Sequence, residues 1–156
     1  KAEDRHPVGR LHRAGQQLTR SGNDPFAPDF AGARREARER AIELLYEAGV
    51  KSIPVDAVIA DATLAPDPMA TELALGVYQH IEELDAEVTG FLHAGWSIGR
   101  LGTLDRWILR LGLFELRHRD VPNAVVIDEA VELAKKYGAT DESGKFVNGV
   151  LAAAIL

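Results

Sequence analysis

The side chains in this 156-residue chain best placed for chemistry are arginines. "ARREARERAIELLYEA", residues 33–48, sets Arg34, Arg35, Arg38 and Arg40 close together, with Tyr46 further on. Guanidinium forks pair with phosphate oxygens, and a ring nearby can stack on an unpaired base. On a helix at 100° per residue, counted from Ala41, Arg34 falls at about +20°, Arg38 at about +60° and Arg35 at about +120°. Tyr46 shares the Arg35 direction, whereas Glu36, Glu43 and Glu47 gather on the other flank with Arg40. The result is a basic edge beside a core stripe, a credible contact for RNA. The same residues also fit a plain solvated helix. Arg35 with Glu39 and Glu36 with Arg40 are i,i+4 pairs, each contributing about 0.3 kcal/mol.

Other constellations fall short of a catalytic or metal site. "GATDESGKF" resembles a phosphate-binding loop, but it has one residue too many between its glycines. Phe146 also replaces the required Ser or Thr, and no strand precedes the loop. The histidines, at 6, 12, 80, 93 and 118, show no ligand spacing, and there is no Cys. Glu82 and Glu83 would point about 100° apart on a helix. No catalytic residue, cofactor or metal is expected.

The bulk numbers describe a soluble globular chain. With 46% apolar and 27% charged residues, the chain is long enough for one domain with a single core. A net charge of -6 argues against indiscriminate nucleic-acid binding but leaves room for a local basic patch. The lack of Cys points to a cytoplasmic setting. No apolar run approaches the roughly 20 residues that cross a bilayer, so no membrane partner is expected. The first residue is not Met, as in a processed or cropped chain, and no signal-peptide core is visible.

These side chains need elements to hold them. Residues 1–32 lack periodicity, and "RSGNDPFAPDF" is linker chemistry, so a flexible extension is expected there. From Ala33 to the end the pattern is helical. Ala37, Ala41, Leu44, Leu45 and Ala48 form one buried face, which Gly49 is expected to end. Ser52 is a candidate N-cap with Pro54 in the first turn, and Asp67 followed by Pro68 opens the next helix. Its face runs Leu73, Val77, Ile81, Leu84, and a further piece carries Val88, Phe91 and Leu92 to Gly95. Leu104, Trp107, Ile108, Leu111 and Phe114 cover so wide a face that their helix belongs at the centre of the core. Pro122 opens a helix that Gly138 ends. The last is capped by Asp141 or Ser143, with Phe146, Val147, Val150 and Leu151 inward. About seven helices and no sheet make an all-α bundle.

"VPNAVVIDEAVELAKKYGATDESGKFVNGVL", residues 121–151, resembles the NusB family of transcription antitermination factors, and "ILRLGLFELRHRDVP" and "ARREARERAIELLYEA" are similar to the same family. The resemblance covers residues 33–156. It implies two three-helix bundles packed crosswise around a shared helix. It implies a partner, the small-subunit ribosomal protein NusE, and a target, boxA-type single-stranded RNA. The pair would help an RNA polymerase antitermination complex through ribosomal RNA operons. It places Arg34, Arg35, Arg38 and Tyr46 at the RNA, with Asp141, Lys145 and Phe146 from the loop before the last helix, and Asp105 at the ribosomal partner. Asp105 also suits the positive start of a helix on its own account, and Asn148 suits a buried hydrogen bond.

Two departures bear on RNA affinity. Glu36 stands where some relatives carry a third consecutive arginine, and the loop "ATDESGKF" is one residue longer than in some. Two rival readings remain open at this point. One is an accessory module of a ribosomal RNA cytosine methyltransferase, and the other a paralogue that kept the fold and lost RNA binding. A homodimer that covers the arginine flank is a further expected arrangement.

Overall fold

A computed structural model describes residues 30–156, so the extension expected over 1–32 lies almost wholly outside the described residues. Among the described residues there are seven α-helices, one 3₁₀ turn and no strand. They are α1 Phe30–Lys51, α2 Val55–Asp61, α3 Pro68–Gln79, α4 Ile81–Gly90, α5 Thr103–His118, α6 Asn123–Tyr137 and α7 Ser143–Ala154, with the 3₁₀ turn at Ile98–Arg100.

Helices α1, α2 and α3 pack on one another, and so do α5, α6 and α7. Helix α5 also contacts α1, α3 and α4, which joins the two three-helix bundles through a shared element. Its sequence explains the position. Trp107 through Glu115 are all buried, so the helix meets neighbours on every side. Leu109, Leu111 and Leu113 are at most 1% exposed, which supplies the middle of the core. A glycine sets one contact closely. A Cβ built on Gly76 of α3 would lie 2.1 Å from the Phe114 ring, so that ring rests directly on the α3 backbone.

Most helix ends follow from local chemistry. The Asp67 carboxylate accepts from the Met69 and Ala70 amides, and Pro68 occupies the first turn. Pro122 and Gly138 flank α6. Several boundaries differ from expectation, among them the start of α7, where Glu142 rather than Asp141 or Ser143 is the N-cap and no side chain bonds there. Helix α1 starts at Phe30 rather than Ala33, and it passes through Gly49 to Lys51. Gly49 lies beside the Trp107 indole, where a Cβ would sit 3.5 Å away, so its role is packing. The stop falls at Ser52, whose φ of 54° is left-handed. The Ser52 amide donates to Gly49 carbonyl oxygen and the Ile53 amide to Ala48 carbonyl oxygen, the paired closure typical of a left-handed helix end. Ser52 therefore closes α1, and Pro54 takes the N-cap of α2. The expected run across Ile81 also divides, because His80 ends α3 and begins α4. Phe91 and Leu92 follow α4 in a turn.

Candidate nucleic-acid interface

The first turns of α1 sort the arginines by depth. Arg34 is exposed, and its side chain makes no hydrogen bond or ion pair among the described residues. Arg35 keeps a half-exposed side chain and donates from Nε and Nη2 to Glu129 of α6 at 3.0 and 2.9 Å. The hydrogen bond from Arg35 holds the Glu129 carboxyl below its usual value, and the same bond raises Arg35. Neither expected i,i+4 pair forms. Glu39 instead accepts from Lys136 of α6 at 3.0 Å, and Arg40 pairs with Glu43.

Arg38 takes a different position from the expected one. It is 2% exposed and grips Glu115 of α5 through three contacts of 2.9 to 3.1 Å. It lies close to the buried stripe, so its guanidinium reaches the core-facing side of α5 instead of solvent. A buried ion pair of this kind is hard to open, because either charge left alone is costly. Arg38 is thus a structural member of the α1–α5 contact rather than a displayed phosphate ligand.

Helix α6 links this basic end to the second cluster. The α6–α7 loop is strapped by Asp105, near the start of α5. Its carboxylate accepts from the Ser143 hydroxyl at 3.1 Å and from the Ala139 amide at 3.3 Å. The Thr140 amide donates to the Ser143 hydroxyl oxygen at 3.2 Å. Asp105 is 7% exposed, so the partner-facing role expected of it gives way to an internal one: its oxygens hold a loop. Asp141 is exposed at the tip of that loop, Lys145 is exposed on the first turn of α7, and Phe146 is half-buried. Asn148 is exposed, contrary to the buried hydrogen bond expected, because it lies on the outer side of α7 while Val147 and Val150 face inward.

A groove of about 670 Å³ opens beside Lys145 and Phe146. Its opposite wall comes from the α4–α5 connection, with Phe91, His93, Trp96 and Arg100. Trp96 is 54% exposed, and the Arg100 guanidinium lies over its ring at 5.4 Å. The sequence pattern gave Phe91 only a helical face and singled out neither Trp96 nor Arg100, with Gly95 read only as a break. The available signal was an aromatic beside a glycine, with one arginine four residues on, in a connection that holds few other polar side chains. A second groove between α1 and α6 is lined by Arg35, Glu39, Glu129, Glu132, Lys135 and Lys136 and is of mixed sign. Tyr46 is 43% exposed and lines neither groove. It shares the Arg35 direction but stands about 16 Å along the helix at 1.5 Å per residue.

The NusB family model matches residues 35–155. The chain belongs to the NusB family. A NusB transcription antitermination protein of Geobacillus kaustophilus (strain HTA426) is 43% identical over 121 residues, covering 76% of this chain and 92% of the relative. That of Saccharopolyspora erythraea is 46% identical over 131 residues, covering 77% and 84%. Among solved structures, T. maritima NusB aligns with a TM-score of 0.67 at 34% identity, covering 77% of this chain and 88% of that one. A complex of antitermination factors NusB and NusE with double-stranded RNA contains a NusB-like chain with a TM-score of 0.63 at 34% identity, covering 77% and 93%. This NusB-family chain thus has the all-helical fold of its relatives and no described helix long and apolar enough to cross a membrane.

Proposed function

We propose that this chain is a non-enzymatic, cytoplasmic transcription antitermination factor that binds boxA-type single-stranded RNA together with the ribosomal protein NusE, within an RNA polymerase antitermination complex. The observation that carries this reading is the match to NusB antitermination proteins over 92% of a relative's length. The solved complex of NusB and NusE with double-stranded RNA supports NusE and an RNA as partners, and the single-stranded boxA-type target rests on the family resemblance. The RNA-facing set is Arg34, Arg35 and Lys145 for phosphates, with Trp96 and Phe146 as surfaces for unstacked bases. Asp141 lies at the loop tip and Tyr46 at the far margin of α1. The ribosomal partner sits beside the start of α5, with Asp105 acting through the loop it holds. Phosphate contacts position the strand, and ring stacking favours unpaired over paired nucleotides.

A second reading has its own support. Arg35 is already paired and Arg38 is buried, which leaves the basic edge weaker than its arginine count suggests. That favours a family member which keeps the partner and binds RNA feebly. Anisotropy titration of boxA-type RNA, with and without NusE, separates the two. The first reading expects NusE to tighten binding. It expects Arg34→Ala and Lys145→Ala each to reduce the salt slope by about one, and Trp96→Ala to weaken binding by about 1–3 kcal/mol. Normal NusE binding with no RNA response would establish the second reading.

A further inference from the structure

The fold brings together two histidines that lie far apart in sequence. His80, between α3 and α4, has its ring 4.2 Å from that of His118, in the last turn of α5. Glu83, in the first turn of α4, places its Oε1 3.2 Å from His118 Nε2. One donor atom from each of His80, Glu83 and His118 lies within 4.8 Å of the others. We propose that these three side chains form a binding site for a divalent transition cation of the zinc class. Two imidazoles and one carboxylate suit zinc, cobalt or nickel, whereas calcium and magnesium take oxygen ligands.

The surroundings prepare the donors. His80 Nδ1 lies 2.8 Å from the Gly76 carbonyl oxygen, which can only accept, so the ring proton is on Nδ1. His80 Nε2 therefore keeps its lone pair, and it makes no hydrogen bond among the described residues. A backbone carbonyl fixing the distal nitrogen is the usual support of a metal-binding imidazole. Phe114 buttresses both rings, with centroids 5.6 Å from His80 and 5.3 Å from His118. The neighbouring cation does not compete for Glu83, because Arg119 donates to Glu72 at 3.0 Å. Donors around a tetrahedral zinc at its usual bond lengths stand roughly 3.3 Å apart, so the cluster must contract by about 1.5 Å at most. Glu83 and His118 are both exposed and can swing that far by side-chain rotation. On binding, the His118 Nε2 proton now shared with Glu83 yields to the ion, and the ring adopts its Nδ1–H tautomer. The fourth position is open to water. The ion would clasp the α3–α4 junction to the end of α5.

The test is equilibrium dialysis of the full chain against zinc chloride, with cobalt chloride as a spectroscopic reporter. The wild type is expected to hold one ion at this site, with cobalt giving the intense visible bands of a four-coordinate centre. Glu83→Gln and His118→Gln, both at the surface, should each weaken that ion by about tenfold or more, and His93→Gln should not. Zinc should also raise the melting temperature of the wild type and not of His118→Gln. Ions held elsewhere, including by His6 or His12, persist in every variant and cancel in the difference. Identical isotherms for wild type, Glu83→Gln and His118→Gln would overturn the proposal.

Discussion

Replacing Arg38 by Met separates folding from RNA contact. The guanidinium and the Glu115 carboxylate have side chains only 3% and 2% exposed, and they share three contacts. Removing the arginine leaves the buried Glu115 carboxyl without its partner, beside the new thioether. Breaking one side of such a pair costs about 3–5 kcal/mol, most of it the burial of the abandoned charge. For a domain of this size that corresponds to a fall of roughly 10–20 °C in melting temperature. Glu115→Leu added to Arg38→Met should recover most of the loss, because an apolar pair of similar volume is often neutral or better. Arg34→Ala, which breaks no contact, should stay within about 0.5 kcal/mol of the wild type. The assay is urea denaturation of the four proteins, beside RNA titration at a temperature where all remain folded. A stable Arg38→Met protein, within about 1 kcal/mol of the wild type, that had nonetheless lost RNA affinity tenfold would refute the structural role given to Arg38.

Two further outcomes follow from the same geometry. Asp105→Ala strands the Ser143 hydroxyl and the Ala139 amide, so it should cost about 1–3 kcal/mol and speed hydrogen exchange across residues 139–146; unchanged exchange there would sink the strap. The Arg35 hydrogen bond holds Glu129 below its ordinary 4.5, so its stabilisation is complete above that value and disappears as pH falls through the lowered one. The advantage of wild type over Arg35→Ala in denaturant should therefore shrink in acid, and a constant difference from pH 7 to pH 3 would contradict it.

Helix placement was legible because its signals are local. Asp67–Pro68 and Pro122 open helices by properties of one or two residues, and the unbroken apolar face of α5 announces a central helix. Long-range partners were not legible. Nothing near Arg38 indicates that Glu115, 77 positions away, will meet it, or that Arg35 will prefer Glu129, 94 positions away, to Glu39 four residues on. Helical spacing gives the direction of a side chain but not how far the next helix stands off. Arg38 lay only about 60° from the stripe, and the closeness of α5 turned that edge inward. The same limit hid His80 and His118, whose separation in sequence resembles no ligand spacing. The resemblance to a family placed the domain, and the chain's own packing decided which arginines remain on display.

Gly76 shows what an absent side chain can accomplish. With a hydrogen where other residues carry carbon, α3 settles against the tip of the Phe114 ring, and the carbonyl of the same residue meets the His80 ring one turn further on. Any wedge at this position would lever the two helices apart and swing one imidazole away from the other. The bare backbone here works as a shim of zero thickness, gauging the gap across which two distant stretches of chain become neighbours.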